Sequence, residues 1–221
     1  MLQPGPMPLV AVAVLAACGV VATAAPPDIR VNLTPQPVKE LAVSVDGRFR
    51  VRPVGSSRVL ATSARLPANR VVARPGGFSI GPLTVSATRV EIIPDRSPAI
   101  RVAGNLYRGR LRLFRRPGGR LVAVNVLPLP RYLAAVVDAE MPATFPAAAR
   151  RAQAVAARTY ALSRIETGRD NPLFDLYGST RSQRYLGVEY RDSRGRRLAG
   201  ETAAGRRAVA ETRGMVCLSA G

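Results

Sequence analysis

From about Ile29 to Val126 the chain is a series of short apolar and polar alternations, each broken by Gly or Pro. Leu41 to Val45, Phe49 to Val54, Val71 to Arg74, Thr84 to Ile93 and Leu111 to Phe114 read as strands. The alternation is clearest in Arg110-Leu111-Arg112-Leu113-Phe114. Pro117-Gly118-Gly119 then turns the chain into Leu121 to Val126, which predicts a hairpin. At Pro130 the spacing becomes helical. Arg131 to Met141 places Leu133, Val136 and Val137 on one face, and Pro142 stops it, because proline breaks the amide ladder and restricts its predecessor. Pro146 opens a second helix to about Ile165, with Thr144 as its candidate cap. Its apolar stripe reads Ala148, Ala152, Val155, Thr159 and Leu162. Beyond Pro172 a strand is expected at Tyr185 to Tyr190 and a polar turn at Asp192 to Arg197. The pattern predicts an α+β chain: a β-rich N-terminal half, a two-helix segment and a mixed C-terminal part.

The first residues read as an export signal, because Met7 to Ala25 carries no charge and Leu9 to Ala17 is an unbroken apolar run. Two processing sites compete. Leu15-Ala16-Ala17-Cys18 has the form of a lipobox, which would make Cys18 a lipidated N-terminus; Ala22-Thr23-Ala24 is a small-x-small site before Ala25. The organisation expected is thus a signal peptide over 1–25, a β-rich part over 26–126 and a helical and mixed part over 127–221. On either processing route the protein is exported to the cell envelope, on the outer face of the membrane or free in the periplasm or wall. Cys217 is then left without a partner in the chain, which suggests burial, an intermolecular bond or a partner elsewhere.

Composition narrows the chemistry. The 221 residues contain no His and two Cys, which removes Ser-His-Asp triads, Cys-His pairs and structural zinc sites. Carboxylate chemistry, binding, or both are left. Lys39 is the single lysine among 33 basic residues, and the formal charge is +19. Part of that is the bias a GC-rich genome imposes, and part suits a polyanionic surrounding. The export signal and 5% aromatic content, which offers few stacking platforms, argue against nucleic acid as the partner.

Among fourteen acids, Glu140 stands out. With about 100° per residue, Val136, Val137 and Glu140 fall within about 60° of Leu133, whereas Asp138 points about 140° away. Glu140 is therefore expected on the apolar stripe at the last turn. There desolvation and the negative end of the helix would make it hold a proton. Such an acid suits protonation of a glycosidic oxygen. The competing reading is a buried ion pair, with Arg158 as the partner.

The segment Tyr132-Leu133-Ala134-Ala135-Val136-Val137-Asp138-Ala139-Glu140-Met141-Pro142 resembles the Y-L-x-x-V-V-x-x-E-M-P signature of the SpoIID/LytB family. Ala152-Gln153-Ala154-Val155-Ala156-Ala157-Arg158-Thr159-Tyr160-Ala161 continues the likeness. Ser182-Gln183-Arg184-Tyr185-Leu186-Gly187 and Ala208-Val209-Ala210-Glu211-Thr212-Arg213-Gly214 follow it downstream, and Tyr107-Arg108-Gly109 and Val124-Asn125 precede it. The resemblance implies a lytic transglycosylase acting on peptidoglycan strands stripped of stem peptides, with Glu140 as the acid and 1,6-anhydro-N-acetylmuramic ends as product. It implies no cofactor, and a second carboxylate is not required. Gln153, Arg158, Tyr160, Ser182, Gln183 and Tyr185 are the substrate-binding candidates it supplies; the competing role for Gln153 and Tyr160 is helix packing. Its partners would be glycan strands, a cell-wall amidase, and the membrane if Cys18 is modified. The family also contains amidase enhancers, so a non-catalytic wall-binding modulator is the alternative.

The match departs from the family pattern in places. Pro130 and Ala148 stand where members commonly carry acids, and no metal is expected because the chain lacks the His of zinc-binding members. Members continue past A-V-x-x-T-x-G into a Ser/Cys-Gly-Gly-rich segment, whereas this sequence ends at Gly221, so an incomplete C-terminal part is expected.

Overall fold

A computed structural model describes residues 25–141, 144–168 and 171–218; the lipobox, Cys18 and both processing sites lie outside them, apart from Ala25. Eleven strands come first: β1 (Asp28–Asn32), β2 (Glu40–Val45), β3 (Phe49–Pro53), β4 (Ala61–Ser63), β5 (Leu66–Arg74), β6 (Gly77–Ile80), β7 (Leu83–Val85), β8 (Arg89–Pro94), β9 (Ile100–Val102), β10 (Asn105–Tyr107) and β11 (Arg110–Arg116). A short 3-10 turn leads into β12 (Arg120–Pro128), and α1 (Leu129–Glu140) and α2 (Ala147–Thr167) follow. The chain closes with β13 (Leu176–Tyr177), β14 (Glu189–Arg191), β15 (Arg197–Ala199) and α3 (Ala203–Glu211). This is the α+β arrangement the pattern predicts.

The described strands form two sheets, ordered β13-β1-β12-β11-β8-β3-β4 and β15-β14-β10-β9-β2-β5-β6-β7. All pairings are antiparallel except that of β13 with β1. Alternation fixes which face turns inward: Leu41, Val43 and Val45 of β2, Phe49 and Val51 of β3, and Leu111 and Leu113 of β11 are buried in one core. β12 is buried on both faces, because its outward Val122, Val124 and Val126 pack with Phe114 and Phe174 in a second cluster. The expected hairpin forms, with Leu113 opposite Ala123. The expected strand over Thr84 to Ile93 is two strands. β7 pairs with β6 in one sheet and β8 with β3 and β11 in the other, so the chain changes sheets between them, which alternation alone does not register.

Both sheets recruit strands from beyond the helices. β13 extends the first sheet on β1, and β14 extends the second on β10. The main core accordingly runs without a break from Ile29 through α1 and α2 to Val209. β12 passes into α1 with no loop, and Pro130 fits the first helical turn, where its missing N–H costs nothing. α1 thus starts two residues earlier than expected and carries its far end about 18 Å away. The expected strand at Tyr185 to Tyr190 is displaced to Glu189–Arg191. The polar turn forms, with Asp192 accepting from the amides of Arg194 and Arg196.

Two helical expectations are corrected. Thr144 does not cap α2; Pro146 occupies the cap position, with no side-chain bond. The buried face of α2 is Arg150, Ala154, Ala157, Arg158 and Ala161, whereas Ala148 and Ala152 are exposed. With alanine on every side, the helix offers little contrast from which to read a stripe.

Candidate active site

α1 is buried all round from Tyr132 to Val137, wedged among α2, α3, β1 and β12. A helix with no wet side has no meaningful stripe, and the positions of its two acids reverse the expectation. Asp138 is the enclosed one, its side chain 6% exposed. Its Oδ1 accepts from Arg150 Nη1 at 2.8 Å and from Thr202 Oγ1 at 2.9 Å, and its Oδ2 accepts from the Thr202 amide. Thr202 in turn caps α3, its Oγ1 accepting from Gly205 N at 3.1 Å. Glu140 is the last residue of α1 and is exposed, because the core ends one turn before it. The Glu140–Arg158 pair does not form. Arg158 is buried against α3 instead, donating to the carbonyls of Met215 and Val209 at 2.9 and 3.2 Å, and burial lowers its guanidinium below the ordinary value.

Glu140 is nevertheless held: its Oε1 accepts from the Arg184 amide at 2.7 Å. The residues before Arg184 connect this acid to two other surroundings. Gln183 turns inward, its Oε1 accepting from Tyr132 Oη at 3.0 Å. Ser182, its Oγ accepting from the Tyr177 amide at 3.2 Å, lines a groove of about 430 Å³ whose walls include Tyr160, Arg164, Phe174, Tyr177 and Arg181. Tyr160 belongs to both neighbourhoods. Burial first, then the charges of Tyr160 and Glu140, hold the Tyr132 hydroxyl well above the ordinary phenol range. Glu140 is thus tied through the Arg184 amide to the segment whose Ser182 lines the groove, while Glu140 and Arg184 are not themselves among the lining residues.

Behind that segment lies a polar network. Tyr185 Oη donates to Asn125 Oδ1 at 2.8 Å, and Asn125 Nδ2 donates to the carbonyls of Arg108 and Arg110 at 2.8 and 3.1 Å. The Tyr185 ring lies against Tyr132 and Tyr107, with centroids 5.1 and 5.6 Å apart. Arg108 forks onto Glu201, whose side chain is 3% exposed. Gly109 completes this corner with φ of +78°; a Cβ there would run into the Val126 carbonyl.

The sequence candidates thus divide. Ser182 and Tyr160 face the groove beside Glu140; Gln183, Tyr185 and Arg158 are buried and engaged; Gln153 is half-buried on α2, one turn after Arg150. Cys217 is exposed, which removes burial as its explanation, and its amide donates to Thr159 Oγ1. Sequence reading turned Asp138 away from the core and passed over Arg150 and Thr202; the contacts of the three join three helices and leave no spacing signal. It also passed over Tyr177 and Arg181, which a loop brings together. A larger, mostly apolar hollow of about 730 Å³, lined by Leu129, Ala134 and Val209, contains none of the groove aromatics. Among the described residues no helix is long and apolar enough to cross a membrane, and no three His, Cys, Asp or Glu side chains gather as a metal group.

Fold and site together define an α+β protein with an exposed carboxyl, Glu140, held by the segment that continues from an aromatic and basic groove. Residues 117–218 match the SpoIID family, described as Stage II sporulation protein. The match falls on the part of the chain that carries the SpoIID/LytB-like motifs, from the E-M-P of α1 to the A-V-x-x-T-x-G of α3. No curated protein and no solved structure gives a match.

Proposed function

We propose that the chain is a lytic transglycosylase that cleaves peptide-stripped peptidoglycan between N-acetylmuramic acid and N-acetylglucosamine. Glu140 is its acid. The Glu140 proton passes to the glycosidic oxygen as the bond to C1 breaks. The C6 hydroxyl oxygen of the muramic residue closes onto C1, and its proton returns to the Glu140 carboxylate, leaving a 1,6-anhydro end. No water enters the products, so a single carboxyl serves both steps. The observation that carries this reading is the seat of Glu140: exposed, fixed through Oε1 by the Arg184 amide, and beside the groove that Tyr160 and Ser182 line. A strand laid against this acid would exclude water from it, which strengthens a hydrogen bond from the carboxyl to the glycosidic oxygen. Tyr160 offers a face for a sugar ring, and the Ser182 hydroxyl a partner for an N-acetyl group. The proposal includes export to the cell envelope, with a lipid anchor at Cys18 or cleavage after Ala24, and an amidase that prepares the strands.

The test incubates wild-type protein and Glu140→Gln with peptide-free glycan strands and follows anhydro ends by mass spectrometry. Wild type is expected to produce them and E140Q to lose at least about a hundredfold in rate. The variant should stay equally stable, since the amide oxygen still accepts from Arg184. Unchanged activity in E140Q overturns the assignment of the acid. Binding without products from wild type overturns the enzyme reading and leaves a wall-binding modulator of an amidase.

A further inference from the structure

The groove beside Glu140 has a charge that the glycosidic step does not use. Arg164 of α2 and Arg181 both line it, both are exposed, and among the described residues neither is paired with a carboxylate. The acid in the same groove is already committed. Asp175 is held by Arg30, whose Nε donates to Oδ1 at 3.0 Å and whose amide donates to Oδ2 at 2.8 Å. Arg181 has a fixed seat, its guanidinium carbon 4.1 Å from the centroid of the Tyr177 ring, and Tyr177 is itself braced edge-on by Phe174 at 4.8 Å. Stacking on a ring occupies the face of a guanidinium and leaves its N–H edge free, which is the geometry that takes a carboxylate. An aromatic wall with two spare guanidinium groups suits a sugar that bears an acid.

We infer that Arg164 and Arg181 form a carboxylate-reading subsite whose ligand is the lactyl carboxylate of N-acetylmuramic acid. The inference rests on the glycan-cleaving reading of the same site. In an intact strand the lactyl group is an amide and carries no charge; removing the stem peptide hydrolyses that amide and leaves one free carboxylate on every muramic residue. The two arginines thus distinguish a stripped strand from a substituted one by charge. The carboxylates of the stem peptide itself are a second source of the same chemistry, and they sit farther from the ring.

The experiment measures binding and KM with wild type, R164Q, R181Q and the double variant. The ligands are peptide-free strands, the same strands with their carboxylates converted to methylamides, and peptide-bearing strands. Wild type is expected to bind free-acid strands more tightly than methylamide strands. Each single variant should lose about tenfold in affinity for the free acid alone, as befits a charge-assisted hydrogen bond. KM should rise while kcat changes little. Equal affinity of wild type for acid and methylamide strands overturns the subsite while leaving anhydro production, and with it the enzyme reading, intact. Tighter binding of peptide-bearing than of stripped strands overturns the lactyl assignment in favour of stem-peptide carboxylates. Failure of wild type to bind any strand overturns the glycan reading and this subsite with it. Unaltered circular dichroism in the variants verifies that folding is not the cause.

Discussion

The carboxylate of Asp138 lies where the end of α1, the first turns of α2 and the cap of α3 meet, and it bonds to a residue of each neighbour. Such a group contributes through what depends on it. Asp138→Asn keeps the shape but removes the charge facing Arg150, and breaking a buried pair from one side typically costs about 3–5 kcal/mol. Urea unfolding of D138N should register a loss of that order, whereas E140Q should unfold with wild type. The sequence could not rank these acids correctly. Helical projection from Leu133 put Glu140 inward and Asp138 outward, and it assumed one wet face. Tyr132 and Ala135 are as buried as Leu133, so the projection had no solvent side to refer to, and position along the helix decided the outcome instead. Glu140 was recognisable through its E-M-P motif, while its Arg184 contact joins positions 44 apart and has no local signal.

Among the elements, α3 packs so closely on α1 that its sequence preference is inverted. Gly205 is helical, and alanine is worth about 1 kcal/mol over glycine in a helix interior. A Cβ at this position would collide with the Asp138 carboxylate. Gly205→Ala is therefore expected to destabilise the protein by about 1–3 kcal/mol, the cost of overpacking. A raised midpoint in thermal or urea unfolding would contradict that packing. The elements themselves were mostly legible: the β11–β12 hairpin, both long helices and the polar turn at Asp192 follow from alternation, proline and turn residues. Their faces were less so. In α2 the inward positions include Arg150 and Arg158, whose burial depends on Asp138 and on carbonyls of the α3 region, and no hydropathy pattern encodes a partner that distant.

Across the whole molecule, scarce acids are shared among many arginines. Glu91, 5% exposed at its side chain, meets Arg52, Arg110 and Arg112. Three buried tyrosines give the protein an alkaline limit. Burial raises the hydroxyls of Tyr107, Tyr132 and Tyr185 above their ordinary value near 10.0. Unfolded, these phenols release protons around that value; folded, they keep them. Stability is therefore fully present below about pH 10 and falls as pH rises toward the folded values. Phenolate absorbance and circular dichroism recorded together through an alkaline titration should show these three ionising in the step that unfolds the chain. Smooth ionisation ahead of unfolding would contradict their burial.

The return of β13 and β14 onto sheets begun by β1 and β10 has a consequence for how the chain is born. A ribosome releases the N-terminal strands first, yet Arg30 finds Asp175 only across 145 positions. Until the segment beyond Leu176 has emerged, β1 and β10 lack the partners that finish their sheets, and a bare edge pairs with whatever strand it meets. Closing contacts over such separations is slow, so the fold commits late. The half-made chain is the stage most prone to clump, and the stage at which a chaperone has most to hold.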